Sequence, residues 1–221
     1  MRLASGIKGL DEIIGGGIPE NFVMLVTGEI GTGKTIFGLQ FLCTAKEPGV
    51  FVSFEEDIDR LRETAKIFGW DTERMEREKK LRIIKIEPYR FEDVLDVMEN
   101  SMREIKARRV VIDSISTLGI HILEISELRN TMVQIGDIIR KNKFTALLIS
   151  EMPHQGALSR FGVEEFVADG VVVLQKAPVG NEYLSMLSVY KMRSSDHSKK
   201  IHTYNITNEG IVLRGTAEEG K

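Results

Sequence analysis

The sequence predicts an α/β fold in which a mostly parallel sheet is flanked by helices and continues into antiparallel strands toward the C-terminus. Short, nearly continuous apolar runs alternate with longer amphipathic segments, which is typical of parallel strands covered by helices on both faces. A glycine-rich motif directly follows the first apolar run. From Val171 onward, apolar and β-branched runs follow one another without helical segments between them, as antiparallel strands do.

The composition is that of an ordinary globular protein, with 42% hydrophobic and 29% charged residues, and we expect residues 1–221 to form a single domain. The net charge of −3 argues against electrostatic binding of nucleic acid by the whole surface, but it does not exclude a local basic patch. We expect a cytoplasmic protein, because the N-terminus lacks a signal segment and no apolar run approaches the roughly 20 residues of a membrane span. The single cysteine, Cys43, cannot form a disulfide within the chain and is expected to be a small buried hydrophobe.

The strands and helices are predicted in order along the chain, the strands from short apolar runs and the helices from apolar residues at helical spacing. Residues 6–17 contain an amphipathic turn that ends in three glycines. A helix that includes Ile58, Leu61 and Ala65 at helical spacing illustrates the amphipathic segments. The strands of the alternating part are predicted at residues 21–27, 49–54, 81–86, 108–114 and 144–150, the helices at 36–45, 55–70, 91–107 and 127–143, and a solvated helical face at 73–80. The antiparallel strands are predicted at residues 171–177, 182–192 and 200–207, with a hairpin turn at 178–181.

The glycine-rich motif, GEIGTGKT at Gly28–Thr35, matches the phosphate-binding pattern G-x-x-x-x-G-K-[ST]. Its glycines let backbone N–H groups approach a polyphosphate, while Lys34 would reach the β and γ oxygens and Thr35 would ligate Mg²⁺. The strand before it and the helix after it favour this reading over a glycine-rich turn with an exposed lysine. We therefore predict a nucleotide site at Gly28, Glu29, Ile30, Gly31, Thr32, Gly33, Lys34, Thr35 and Ile36.

Acidic residues at the ends of two strands are candidates for the metal and for the attacking water. Asp113 ends the run VVID, where a carboxylate can hold the Mg²⁺ shell, and Ser114 after it could either hydrogen-bond there or cap a helix. Glu55 and Glu56 close the second strand, where an open α/β sheet places its ligand crevice. Adjacent strand residues point to opposite faces, so both could orient the water only if the strand has already ended. Alternatively, both begin the next helix, whose N-terminal dipole favours acids.

The segment KMRSSDHS, at residues 191–198, follows the second antiparallel strand and carries two cations and a histidine. Its composition alone indicates a polar hairpin edge, because lysines at a sheet edge discourage aggregation. From the residues alone we would assign it no role in chemistry.

Together, the motifs resemble the KaiC-like ATPases, a branch of the RecA superfamily that includes the archaeal RadA paralogues. The resemblance rests on GIKGLDEIIGGGIPEN, GEIGTGKT, FVSFEED, FGWD, VVIDS, RFGVEEFVADGVV, KMRSSDH and TNEGIVL, which occur in this order over nearly the whole chain. It implies a RecA-like P-loop NTPase core with one site for ATP or ADP and Mg²⁺. It also implies assembly of identical subunits into a ring or filament, with a hexamer among the possible rings.

The resemblance also implies roles for individual residues. Glu55 matches the principal catalytic acid of the family, and Glu56 its companion. Lys191 and Arg193 match cations that reach the γ-phosphate of a neighbouring subunit, a contribution worth roughly 10³–10⁵ in rate in related phosphoryl transfer. Further positions that contact the neighbour's nucleotide correspond to Ser195, His197 and Thr207.

Several residues depart from the family pattern. Ile30 stands where proline is usual, and Asn208 where an aspartate is common, so we expect a less rigid loop and no assured polar contact at Asn208. Ile67 occupies a position that can be a serine touching the base or sugar, which predicts weak base selectivity. Glu165 and Phe166 replace the Ser-Thr pair of the autophosphorylating KaiC domain, so autokinase activity is not expected.

Three functions follow from these observations. The first is a Mg²⁺-dependent ATP-binding protein that hydrolyses ATP slowly in a homo-oligomer. The second is a DNA-binding recombination accessory, as RadA paralogues are, acting through loops at residues 116–124 and 153–162. In the latter loop His154, Arg160 and Phe161 offer cations and an aromatic that could stack on a base. The third is a nucleotide-gated protein-interaction module, whose partner surface would be the apolar Leu118–Leu123 segment if that segment is exposed. The alternative interpretation of this segment is a plain helix start or part of the core.

Overall fold

In a computed structural model, which describes residues 1–87, 91–120, 122, 124–153 and 156–216, nine strands form one sheet and two short strands pair beside it. The strands are β1 (Arg2–Leu3), β2 (Ile18–Pro19), β3 (Val23–Gly28), β4 (Gly49–Ser53), β5 (Leu81–Lys85), β6 (Arg109–Asp113), β7 (Thr145–Glu151), β8 (Gly170–Val179), β9 (Glu182–Met192), β10 (His202–Thr207) and β11 (Gly210–Thr216). The helices are α1 (Leu10–Ile13), α2 (Lys34–Cys43), α3 (Ile58–Ile67), α4 (Thr72–Arg77), α5 (Phe91–Glu104), α6 (Ile115–Ile120), α7 (Ile125–Lys141) and α8 (Glu164–Val167).

The large sheet has the strand order β11-β10-β9-β8-β3-β7-β6-β4-β5. The strands from β8 to β5 pair in parallel, and those from β8 to β11 pair antiparallel. The prediction of a mostly parallel sheet with antiparallel C-terminal strands is therefore confirmed. Because β3, β4 and β6 run in one direction, the glycine-rich loop, Glu55 and Asp113 all leave the sheet at the same edge.

Helices cover both faces of the sheet, and each face has its own apolar core. On one face α2 lies against the sheet and buries Phe37 and Phe41. On the other face α7 buries Met132 and Ile139. The side chains of β3 alternate between the two cores, which explains why this strand is apolar throughout its length.

Gln40, a buried amide on α2, ties the two ends of the chain to this helix. Its side-chain nitrogen donates to the carbonyls of Gly6 at 3.0 Å and Ile211 at 3.1 Å. Its side-chain oxygen accepts the N–H of Ile211 at 2.7 Å. Because the amide is hydrogen-bonded at both ends, it can be buried at little cost while joining the N-terminal segment, α2 and β11.

The structure adds elements that the hydrophobic patterns did not predict. The short elements β1, β2 and α8 offer too few residues for a periodicity to be read, and the apolar run of β11 is only three residues long, between Gly210 and Arg214. Part of the expected loop at residues 116–124 is helical, because α6 begins directly after β6. None of the described helices combines the length and the apolar character needed to cross a membrane.

Candidate nucleotide-binding site

The loop Gly28–Thr35 joins β3 to α2, and its glycines are required for two different reasons. The first is close packing, since a Cβ on Gly28 would lie 2.3 Å from the carbonyl oxygen of Leu174 on β8. The second is backbone conformation, since Gly31 and Gly33 have φ values of +71° and +88°, which other residues rarely adopt. Gly33 directly precedes α2, so the unpaired N–H groups of that helix face the loop.

Lys34, the first residue of α2, folds its ammonium group back over the loop. It donates to the carbonyls of Gly28 and Glu29, both at 2.9 Å. Burial lowers the pKa of Lys34, while attraction to the carboxylates of Asp113 and Glu151 opposes that shift. A partly desolvated cation with only neutral acceptors would bind a phosphate oxygen more strongly than these carbonyls.

Thr35 and Asp113 form a hydroxyl–carboxylate pair at the start of α2. The Thr35 hydroxyl donates to Asp113 at 2.8 Å. Desolvation raises the pKa of Asp113 to about 6, against the opposing effects of the Thr35 hydrogen bond and of Lys34. Magnesium in nucleotide sites is held by one or two protein oxygens together with phosphates and water. This pair fits that donor set, because a divalent cation would supply the charge compensation that the carboxylate lacks.

Glu55 and Glu56 lie in the turn between β4 and α3, because β4 ends at Ser53. Strand alternation therefore does not direct the two side chains to opposite faces. Glu55 is exposed and accepts a hydrogen bond from the hydroxyl of Thr117. Glu56 is half-buried, and its carbonyl accepts the Ser53 hydroxyl at 2.7 Å. Both carboxylates help to raise the pKa of Asp113, so the three acids share one region.

Thr117 is a residue of this region that sequence reasoning missed. Its hydroxyl lies 2.9 Å from that of Ser114, and its N–H donates to the same oxygen at 3.3 Å. Ser114 thus caps α6, and Thr117 connects this cap to Glu55. The sequence signal for Thr117 was its position three residues after Ser114 at the end of a strand. Such pairs of hydroxyl residues are common at helix starts, so this signal does not indicate a functional residue.

Two contacts support the outer side of the loop, and neither follows from the motif. Tyr204 on β10 donates its hydroxyl to the carbonyl of Thr32 at 2.6 Å, and burial raises its pKa to about 12. The carboxylate of Glu29 accepts the N–H of Lys176 on β8 at 3.2 Å. Both partners lie more than 140 positions away in sequence, so no local pattern indicates them.

A cleft of about 560 Å³ separates the loop from the end of β7. It is lined by Gly28, Glu29, Ile30, Gly31, Lys34, Glu151, Met152 and Pro153. Glu151 ends an apolar strand, as Asp113 does, and this signal was overlooked in the sequence. Together with the Thr35–Asp113 pair and Glu55, the cleft brings together donor groups of the kinds that suit a polyphosphate and a hard cation.

The comparison with known proteins agrees with this geometry: residues 3–218 match the family model of the KaiC ATPases. The chain belongs to the KaiC family of ATPases. At the level of the family it is a nucleotide-binding ATPase, and the predicted RecA-like P-loop core is confirmed.

Relatives of this KaiC-family chain include proteins of similar length and longer clock proteins. A UPF0273 protein of Methanocaldococcus jannaschii is 36% identical, with 96% of each chain covered. A UPF0273 protein of Thermotoga maritima is 35% identical over 96% of this chain and 95% of the other. The circadian clock protein KaiC3 of Synechocystis is 32% identical over 96% of this chain but only 45% of its own length. The crystal structure of a KaiC-like protein from Pyrococcus horikoshii superposes with a TM-score of 0.91 at 38% identity, covering 97% of this chain and 99% of the other.

The two cations that were predicted to reach a neighbouring subunit, Lys191 and Arg193, lie far from the loop of their own chain. Met192 between them is level with Met24, and Gly28 is four residues further along the same sheet, about 13 Å away. Lys191 donates to the carbonyl of Glu165 in α8 at 2.9 Å and to that of Ala168, directly after α8, at 2.6 Å. Arg193 pairs with Asp169 at 3.2 Å. Within one subunit, the structure does not bring these cations to the nucleotide site.

The three other residues assigned to a neighbour's nucleotide are divided between the two ends of the sheet. Ser195 and His197 follow Arg193, and the Ser195 hydroxyl lies 3.3 Å from the carbonyl that ends the α1 segment. Thr207 ends β10 beside the loop of its own chain, since a Cβ on Gly33 would lie 2.9 Å from the Ile206 side chain. A shared nucleotide contact would therefore need two subunit surfaces.

Two of the residues proposed for DNA contacts, Arg160 and Phe161, already have partners within the chain. Arg160 pairs with Glu151 at the phosphate cleft. The ring of Phe161 packs over Gly119, where an added Cβ would lie 2.3 Å from it. His154 lies outside the described residues. The described part of this loop thus presents no free aromatic for base stacking.

The apolar segment that could form a partner surface is only partly exposed. Leu118 is buried in the core under α6, at 1% exposure, whereas Ile120 is 51% exposed. Leu123 lies outside the described residues. The described part therefore serves mainly as core.

Proposed function

We propose that this protein is a Mg²⁺-dependent ATP-binding protein and a slow ATPase whose hydrolysis depends on assembly of several copies of the chain. The observation that supports it best is the convergence, at one sheet edge, of the phosphate loop, the Thr35–Asp113 pair and Glu55. Each group has a distinct task in phosphoryl transfer, and a single binding task would not require all three.

In this proposal the loop binds the phosphates, with Lys34 exchanging its carbonyl partners for β and γ oxygens. Thr35 and Asp113 would hold Mg²⁺, which when bound neutralises charge on the phosphate oxygens. Glu55, oriented by Thr117, would align a water with the γ-phosphorus and accept its proton as the bond to ADP breaks. Glu56 would assist through the negative charge that it adds to the same region.

The proposal includes assembly because Lys191 and Arg193 lie at the end of the sheet opposite to the phosphate loop of their own chain. Lys191 and Arg193 would approach the γ-phosphate of a neighbouring subunit, with Ser195, His197 and Thr207 near that shared boundary. The family membership of the chain and the single set of loop and acids in it support this arrangement. Turnover by an isolated subunit would be slow, because its own Lys191 and Arg193 do not reach its γ-phosphate.

The test is the ATPase rate of a Glu55→Gln plus Glu56→Gln variant against wild type. We expect a loss of at least about 100-fold with nucleotide affinity retained, since general bases contribute about 10²–10⁴ in rate. Lys34→Ala should instead lose nucleotide binding. An unchanged rate in the double variant would refute the catalytic assignment, and binding by Lys34→Ala at wild-type affinity would refute the role of the loop.

A further inference from the structure

Lys176, on β8, places its ammonium group beside the phosphate loop without a partner for its charge. The side-chain nitrogen lies 3.0 Å from the position that a Cβ on Gly31 would occupy. Among the residues that the structure describes, this ammonium group forms no hydrogen bond or ion pair. A half-buried lysine without an acceptor beside a phosphate loop is a candidate ligand for an anion bound there.

The backbone of β8 aims this side chain at the loop. Leu174 pairs with Gly28 in the parallel register, and its carbonyl accepts the N–H of Glu29 at 3.2 Å. The Glu29 carboxylate in turn accepts the N–H of Lys176. Residues 174 and 176 share one face of the strand, and Leu174 belongs to the core under α2, so Lys176 points to the loop side of the sheet. The backbone of Leu174 and Lys176 is thus fixed to the loop by two hydrogen bonds with Glu29.

The strand order decides which end of the nucleotide Lys176 can reach. Asp113 on β6 and Glu151 on β7 lie on one side of β3, and with Thr35 they mark the end where the metal and the γ-phosphate belong. Lys176 on β8 lies on the opposite side of β3. A nucleotide whose γ-phosphate lies on the side of Asp113 and Glu151 would have its α-phosphate on the side of Lys176.

We propose that Lys176 is a second nucleotide-binding cation, supplied by the same subunit as the loop, that binds the α-phosphate of ADP and ATP alike. This role is separate from that of Lys34, which serves the β- and γ-phosphates, and from that of the neighbour's cations. The proposal rests on the proposed nucleotide site but not on hydrolysis or on assembly. It predicts a cation that sets nucleotide affinity and leaves the chemical step untouched.

The test compares wild type with Lys176→Ala, Lys176→Gln and Lys176→Arg, with Lys200→Ala as the control for loss of one exposed lysine. Dissociation constants are measured by calorimetry for Mg·ADP and for a non-hydrolysable Mg·ATP analogue. We expect Lys176→Ala and Lys176→Gln to weaken both ligands by the same factor, about tenfold, as for one charge-assisted hydrogen bond. Lys176→Arg and Lys200→Ala should stay near wild type, and kcat at saturating ATP should change less than twofold in all variants.

The outcomes separate this inference from the proposed function. If wild type binds nucleotide and both neutral variants bind as tightly, Lys176 is not a ligand and the inference is overturned. A loss confined to the ATP analogue would place the cation at the γ-phosphate, which also overturns it. If wild type itself binds neither ligand, the nucleotide site and the inference both fail. The Gln variant keeps the aliphatic stem of the side chain, so a folding defect of the Ala variant would not obscure the result.

Discussion

Thr117 and Cys43 illustrate how single side chains acquire their properties from neighbours that the chain brings from elsewhere. Thr117 is an ordinary helix-start threonine in sequence, yet its hydroxyl holds Glu55, 62 positions away. Cys43 lies at the end of α2, where it packs against the core. Desolvation at that position raises the pKa of its thiol to about 12. The expectation was a small buried hydrophobe, and the structure agrees with it only in part, because Cys43 packs against the core but is half-buried.

The raised pKa of Cys43 predicts slow thiol chemistry in the native protein. The thiolate is the nucleophile, so a disulfide reagent should modify native Cys43 slowly, with a rate that keeps rising beyond about pH 10. An ordinary thiol would level off above its usual pKa, near 9.0. In urea the rate should become that of a free cysteine and show that plateau. Rapid stoichiometric labelling of Cys43 in the native protein at about pH 7 would contradict the raised pKa of its thiol.

At the scale of elements, a buried cation joins β6 to α2 and to the N-terminal segment. Arg109, the first residue of β6, donates to the carbonyls of Ala4 at 2.9 Å and Phe41 at 3.0 Å. It also donates twice to one carboxylate oxygen of Glu47, at 3.0 and 2.7 Å. Its guanidinium carbon lies 4.7 Å from the centre of the Phe41 ring. These contacts satisfy a charge that could not otherwise be buried.

Removing the carboxylate should therefore be costly. We expect Glu47→Ala to lower the free energy of unfolding by about 2 kcal/mol, somewhat less than the 3–5 kcal/mol of a fully buried pair, because the Glu47 side chain is 31% exposed. The matched control is Glu104→Ala in the exposed Arg82–Glu104 pair, which should cost under about 1 kcal/mol. Urea unfolding of both variants measures the difference. Equal losses would mean that the buried pair contributes no more than a surface pair.

At the scale of the whole molecule, the sheet separates the phosphate loop from the cations Lys191 and Arg193. The phosphate loop lies at one end of β3, and Lys191 and Arg193 lie at the other end of this part of the sheet, beyond a register shift between β8 and β9 at Val171 and Val172. An arrangement of subunits in which the loop end of one copy meets the cation end of the next would complete each site. Such a head-to-tail contact closes into a ring or extends as a filament.

Mixing two inactive variants tests this arrangement. Arg193→Ala keeps an intact loop and Lys34→Ala keeps an intact cation, so random assembly of equal amounts should restore about a quarter of the wild-type sites. The ATPase rate of the mixture is compared with that of each variant alone. Native mass measurement with and without Mg·ATP checks that mixed assemblies form. Mixed assemblies without any recovered turnover would show that the cation does not act across subunits.

Much of the fold could be predicted because its strands and helices carry long periodic patterns. The strands β3 to β7 lie within two residues of their predicted bounds, since buried strands are apolar throughout and the helices between them are amphipathic. The sequence is compatible with both a loop and a helix start or core segment at residues 116–124, and the part up to Ile120 is helical because the Ser114 cap starts α6 immediately after β6. The strand β11 was missed because its apolar run of three residues is bounded by Gly210 and Arg214, and its pairing with β10 is a tertiary feature.

The sequence by itself determined the Gly28–Thr35 motif, the acids that follow β4 and end β6, and the alternation of strands and helices that predicts a parallel sheet. These features depend on which residue types occur a few positions apart, and such local patterns determine the local backbone conformation. Only the tertiary structure decided that Thr117 holds Glu55, that Tyr204 supports the loop, and that Lys176 stands beside Gly31. Strand order and register set distances between residues far apart in the chain, and no short spacing encodes them.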